Sequence, residues 1–136
     1  MKINLFKAVM VFFATTAMSS PADVQKAYDL NKWVHESVEY VRSPYEIKAP
    51  YDTILEGGDC ADLSSLIVWL LGKAEIPAQV VVIDLVDHEE HHAFVVVWGW
   101  WFDPVSGRHG WGKYYREYHY SFSISGKEIA ALWRDE

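Results

Sequence analysis

Between Gly57 and Leu71 the chain reads Gly-Gly-Asp-Cys-Ala-Asp-Leu-Ser-Ser-Leu-Ile-Val-Trp-Leu-Leu. Leu63, Leu66, Ile67, Leu70 and Leu71 recur at i, i+3, i+4, i+7 and i+8, the spacing of a helix with one buried face. Gly57 and Gly58 interrupt whatever precedes them, and Asp59 is a natural N-cap. Cys60, the single cysteine of the chain, therefore falls in the first helical turn. Unpaired N–H groups and the positive end of the helix dipole favour a thiolate there. Asp59 and Asp62 oppose a further negative charge, so a reactive thiolate at this position calls for a cationic partner such as imidazolium. A lone cysteine is equally read as a small, buried, inert side chain, and the choice rests on the rest of the chain.

On the N-terminal side, Asp23 to about Val41 keeps the helical period through Leu30, Trp33, Val34, Ser37, Val38 and Val41, until Arg42-Ser43-Pro44 ends it. Pro50 to Glu56 reads as a short helix with proline in its first turn and Gly57 as its stop. The cysteine helix runs to about Gly72 or Ala74. After Pro77 the period changes. Gln79 to Val86 is a β-branched run, His92 to Trp98 a second strand, and Trp101 to Asp103 a third. A glycine-rich loop with Gly107, Gly110 and Gly112 follows. Tyr118, Tyr120, Phe122 and Ile124 then alternate as a half-buried fourth strand, and Ser125 caps a short last helix through Trp133. Helices first and an antiparallel meander after make an α+β domain.

Residues 1–22 stand apart. Lys2 and Lys7 precede an apolar run, Ala8 to Met18, that is too short to span a bilayer. Ser20-Pro21-Ala22 offers small residues for cleavage, so 1–22 is expected to be a secretory signal and 23–136 the folded domain. The product is then exported, periplasmic or secreted, with no integral membrane span left. Removing Lys2 and Lys7 takes the net charge from −7 to −9, which disfavours nucleic acid or an anionic membrane surface as partner. One cysteine makes no internal disulfide, and a lone thiol in an exported chain points to reactivity or an intermolecular bridge.

Cys60, His92 and Asp103 follow one another in the order nucleophile, base, orienting acid. Acyl transfer by cysteine needs those three roles: an imidazole to hold the thiol proton and deliver it to the leaving group, and a carboxylate to fix the imidazole. Asp84 and Asp87 are weaker candidates for the acid. His92, rather than His91 or His88, is the expected base, because neighbouring strand residues point to opposite faces. Its face, shared with Phe94 and Val96, is expected to pack on the leucines of the cysteine helix. A turn at Gly99-Trp100 puts Val96 opposite Asp103 and leaves His92 roughly 13 Å along the strand. Contact then requires a different turn, a bulge or strong twist.

Four segments resemble the transglutaminase-like superfamily of papain-like cysteine enzymes, near its bacterial cysteine-proteinase members. They are Gly58-Asp59-Cys60 at a helix start, Ile76-Pro77, His92-Ala93-Phe94 and Asp103-Pro104, in that order. The resemblance covers roughly residues 50–105. It implies a papain-like fold, with Cys60 as nucleophile, His92 as base and Asp103 as third member. It further implies amide or ester chemistry on a peptide or protein through a thioester acyl-enzyme, without a cofactor. Two departures stand out. Glu75 occupies a turn position where the family commonly has glycine. The side-chain oxyanion donor upstream of the cysteine is not apparent; the Cys60 N–H supplies one donor, and Trp33 or Tyr51 is a candidate for another.

Two competing readings remain. His88-Glu89-Glu90-His91-His92 satisfies His-Glu-x-x-His, a zinc hydrolase pattern. That pattern needs a helix to bring its histidines onto one face, and here it lies between two β-branched runs. The missing oxyanion donor and the many tryptophans, Trp98, Trp100, Trp101 and Trp111 among them, motivate a non-catalytic binding domain on the same scaffold. His35 reads as a surface or internally satisfied histidine.

Overall fold

The computed structural model describes residues 21–42, 46–87 and 90–133. The expected leader up to Ser20, together with His88 and Glu89, lies outside the described residues. Helix α1 covers 21–37 and so includes Pro21 and Ala22 at the expected cleavage site. It buries Ala27, Asn31, Val34 and Val38, a face turned away from Trp33, which is exposed. The helical period suggested a helix reaching Val41, but residues 39–41 are drawn into strand-like pairing. Tyr40 bridges Gly58 in parallel, with Val41 N–H on the Gly58 carbonyl at 2.8 Å and Gly58 N–H on the Glu39 carbonyl at 3.0 Å. A tertiary partner outweighs local helix propensity here.

Helix α2 (Pro50–Glu56) starts on proline and stops at Gly57 as expected. Gly57 has φ +81°, and a Cβ there would lie 2.4 Å from the Glu39 carbonyl oxygen. A Cβ on Gly58 would lie 2.4 Å from the Asp62 Cβ. The glycine pair therefore lets residues 39–41 and the start of the next helix close on each other. Helix α3 (Cys60–Lys73) begins with a reciprocal capping box between Asp59 and Asp62. Its Leu63, Leu66, Ile67 and Leu71 are fully buried. It ends at Ala74, and Glu75 follows with φ +61°. The turn position expected to favour glycine thus does need a left-handed backbone, and glutamate bears the strain.

Five strands form one antiparallel sheet: β1 (Gln79–Leu85), β2 (His91–Val97), β3 (Trp100–Phe102), β4 (His109–Trp111) and β5 (Tyr118–Ser125), in the order β4-β3-β2-β1-β5. β4 is additional to the four expected strands and arises in the glycine-rich stretch, where Gly110 lies on the Trp101 ring. β5 returns to the far side of β1 instead of extending the meander. Its register steps by one residue between Val82 and Ile83, with Phe122 opposite the first and Tyr120 opposite the second. Ser121 is the extra residue of this bulge. The bulge splits the expected alternating face: Ile124 packs toward the helices and Tyr118 toward the other side of the sheet. Helix α4 (Gly126–Leu132) closes the chain behind a Ser125–Glu128 capping box.

The sheet is covered on both faces. On one, residues of α1, α3 and α4 pack on Val80, Ala93, Val95, Val97 and Phe102. On the other, Tyr114 closes over Val81, Ile83, Phe94 and Trp101. Phe94, and with it the face of β2 that carries His92, is therefore turned away from the α3 leucines, which corrects the expected orientation. The physical reason is that both strand faces are apolar, so alternation alone does not say which one meets the helix. Among the described residues no helix is long and apolar enough to cross a membrane.

Candidate active site

The turn between β2 and β3 decides which residues meet. Pairing runs Val95 with Phe102, Val96 with Trp101 and Val97 with Trp100. The turn is thus Trp98-Gly99, one residue earlier than Gly99-Trp100. Trp98 has φ +50° and Gly99 φ +82°, the paired positive angles of a type I′ hairpin turn. A bulky residue is costly in that conformation, and the Trp98 indole is tied down by donating to Asp23 Oδ2 at 2.7 Å. The change of turn moves the register by two residues. Asp103 falls beyond the Val95–Phe102 pair, opposite Phe94, and His92 is its diagonal neighbour, close enough for long side chains to meet. The four-residue offset expected from the sequence becomes two.

His92 and Asp103 are in contact. His92 Nε2 lies 2.8 Å from Asp103 Oδ2, with side-chain exposures of 13% and 2%. A carboxylate only accepts, so Nε2 carries the hydrogen and Nδ1 is left for Cys60. Burial disfavours the charged imidazole, but the hydrogen bonds to Asp103 and Cys60, and the charges of both, outweigh it and raise the pKa to about 9. Burial likewise opposes ionisation of Asp103, yet His92, Tyr114 and the Ser106 N–H hold its carboxyl below its usual value. Cys60 is partly exposed at the start of α3. β3 pairs with β2 only from Val95 to Val97, so the His92 end of β2 is open on that side. Cys60 engages the ring although the α3 leucines lie on the opposite sheet face.

Asp103 is held by the turn that follows it. Oδ1 accepts from Val105 N at 3.0 Å and Ser106 N at 3.4 Å, and Gly107 N donates to the Asp103 carbonyl. His35 Nδ1 lies 3.0 Å from the Pro104 carbonyl oxygen, so His35 is a satisfied histidine that ties α1 to this turn. Sequence reasoning missed Tyr114. Its hydroxyl donates to Asp103 Oδ2 at 2.6 Å, and only its place in the loop after β4 puts it there. Tyr40 was missed as well. Burial raises its pKa, and the charges of Cys60 and then Asp59 add to this; its backbone is held at Gly58, two residues before the cysteine. The Tyr40–Gly58 bridge responsible has no local sequence signature.

The two donors considered from sequence, Tyr51 and Trp33, lie on α2 and α1. Tyr51 packs edge-on against Trp69, ring centroids 6.1 Å apart. Trp69 is nine residues along α3 from Cys60, roughly 13 Å by helical rise. The Trp33 indole N–H, on an exposed part of α1, has no hydrogen-bond partner among the described residues. Asp84 pairs with His91 Nδ1 at the surface, and Asp87 accepts from Arg116 at 3.4 Å; neither is the acid that meets His92. His91 and His92 open a strand, not the helix that a His-Glu-x-x-His zinc site requires; the first two residues of that pattern, His88 and Glu89, lie outside the described residues. Of the tryptophans, Trp101 is core, whereas Trp98 and Trp111 are exposed.

The fold has solved counterparts. The chain is similar to calcium-bound Legionella pneumophila LapG, with a TM-score of 0.64 and 14% identity over 73% of this chain and 63% of that one. EGTA-treated LapG gives 0.66 and 14% over 75% and 63%. The chain therefore spans less than two-thirds of the LapG chains. A search of curated proteins gave no match. Calcium on LapG prompts a test of the carboxylates around Cys60. Asp62 is fully buried and engages both oxygens with backbone N–H groups, Lys48 at 2.7 Å and Asp59 at 3.0 Å. No group of three or more His, Cys, Asp or Glu side chains is placed to hold a metal ion among the described residues. These residues do not fit a calcium site, and no step below involves one. A family model for the transglutaminase-like superfamily matches residues 13–120; together with the helix-borne cysteine and the antiparallel sheet, that match makes the chain a member of the transglutaminase-like superfamily.

Proposed function

We propose that this protein is an exported cysteine hydrolase that cleaves a peptide or isopeptide amide through Cys60, His92 and Asp103. The observation that carries the reading is the His92 ring, fixed by Asp103 through Nε2 at 2.8 Å and raised to about 9 beside Cys60. At neutral pH the ring is then protonated, so the proton a leaving amine needs is already in place. The Cys60 sulfur, its proton held on His92 Nδ1, attacks the carbonyl carbon. The carbonyl oxygen becomes an oxyanion facing the Cys60 N–H. Tyr40, whose backbone pairs with Gly58 two residues before Cys60, joins Trp33 and Tyr51 as a candidate for the second donor. The intermediate collapses, the C–N bond breaks, and Nδ1 gives its proton to the amine. Water then attacks the thioester as the ring takes its proton, releasing the acid and restoring the thiol proton to the pair.

The test uses the purified chain from residue 23, incubated with denatured casein. New amine ends are counted, and mass spectrometry searches for an acyl group on Cys60. Release of amines by wild type and its loss in Cys60→Ala are expected; turnover by Cys60→Ala overturns the reading. Export is read separately, from the mass of protein recovered outside the cytoplasm. Loss of about 22 residues is expected, and an intact Met1 contradicts it.

A further inference from the structure

We propose that Tyr114 is a positioning residue of this site: it donates to the same Asp103 oxygen that receives His92 and so fixes the carboxylate that aims the imidazole at Cys60. The proposal rests on the reading of Cys60, His92 and Asp103 given above. A carboxylate offers about four lone-pair positions, and each one on Asp103 is taken. Oδ1 has the N–H groups of Val105 and Ser106, and Oδ2 has His92 Nε2 and the Tyr114 hydroxyl. The 2.6 Å separation to Tyr114 is in the range of a charge-assisted O–H···O bond. Without that hydroxyl, Oδ2 keeps one ligand and the carboxylate gains freedom to rotate about its Cβ–Cγ bond. The imidazole, which has no other partner on Nε2 among the described residues, moves with it.

The surroundings make Tyr114 suited to this. It is 3% exposed. Its ring stacks on Phe94, with centroids 4.4 Å apart and 7° between planes, and meets Trp101 edge-on at 4.9 Å. Phe94 is two residues from His92 on the same strand face, and Trp101 is two residues from Asp103. The ring is thus clamped by one neighbour of each partner, and the hydroxyl is aimed where the two side chains join. Burial and then the Asp103 hydrogen bond raise the Tyr114 pKa, so the phenol stays a donor throughout the working pH range. Neighbouring Tyr115 is exposed, stacks on Trp101 and packs on Tyr114 with ring centroids 4.9 Å apart, so the control is taken farther away, at exposed Tyr120, whose hydroxyl pairs with Ser123.

The experiment measures Cys60 alkylation by iodoacetamide between pH 5 and 10, which reports the thiol–imidazole arrangement without needing a substrate. Tyr114→Phe keeps the ring and removes the donor. Its alkylation rate near neutral pH should fall about tenfold, the scale of one hydrogen bond to a charged group, and its pH profile should shift. Tyr120→Phe should match wild type. In an Asp103→Asn background Tyr114→Phe should cost nothing further, because the tyrosine acts through that carboxylate. A merely structural role predicts the same cost in both backgrounds and overturns the proposal, as does a Tyr114→Phe profile superimposable on wild type. If the Phe variant does not fold, Tyr114→Met, which retains apolar bulk, takes its place in the same cycle. Alkylation insensitive to His92→Ala sinks the underlying site itself; sensitivity to His92→Ala with none to the Tyr114 variant sinks only the role of Tyr114.

Discussion

Two histidines stand side by side at the start of β2, and each faces a carboxylate: His92 meets Asp103, and His91 meets Asp84. Their chemistry on paper is the same, but their settings differ. The His91 side chain is 79% exposed and that of Asp84 48%, against 13% and 2% for the other pair. An exposed ion pair is screened by water and contributes at most about 1 kcal/mol. The buried pair is also surrounded by donors, with Tyr114, Val105 and Ser106 all on Asp103, and it engages Cys60. A one-residue step along a strand reverses the side-chain direction, and here it separates the proposed reactive centre from a surface contact. The lesson is that residue type nominates a site and burial with its hydrogen bonds selects it.

The comparison breaks most directly on His92. His92→Ala should lower turnover roughly a thousandfold or more if it acts as a unit with Cys60, measured as kcat on any substrate that wild type cleaves. If His91→Ala proves inactive while His92→Ala keeps turning over, the roles of the two pairs are reversed. Asp103→Ala should cost less than His92→Ala in the same assay, because the acid orients the ring and does not exchange protons with substrate. A loss equal to that of His92→Ala would show that the carboxylate does more than orient.

The buried pair should make stability follow pH. The His92 pKa is raised in the folded chain, from 6.5 to about 9, so its contribution is fully present below pH 6.5 and is lost as pH rises through 9. Asp103 is lowered, so its contribution is present above the ordinary carboxylate range and is lost as pH falls through its folded value. Urea midpoints of wild type should therefore decline between pH 7 and 10 relative to those of His92→Gln. Equal slopes for the two proteins would contradict the assignment. The smallest effect belongs to the exposed pair: His91→Ala should stay within severalfold of wild-type kcat and change the urea midpoint little.

Much of this arrangement is written locally. The 3.6-residue period, the glycine pair and Asp59 place Cys60 at the first turn of α3, and Pro50 with Gly57 bounds α2. Ser125 caps the last helix with Glu128. The His-Ala-Phe and Asp-Pro segments single out His92 and Asp103 against His91 and Asp84. Each of these signals is a property of a few consecutive residues, whose backbone preferences and capping bonds are settled before the chain folds back on itself.

What joined these pieces was not local. The β2–β3 register depends on Trp98 accepting a positive φ, a cost offset by its bond to Asp23 75 positions away. The face of β2 toward α3 depends on which of two apolar surfaces the helix covers, and Tyr114 from the loop after β4 covers the other. Tyr40 is held at Gly58, two residues before Cys60, at the expense of another turn of α1. The sequence by itself determined the elements and nominated the reacting side chains. Tertiary structure decided register, sheet face and the second ring of donors, because those follow from competition between distant partners whose free energies no short stretch of sequence contains.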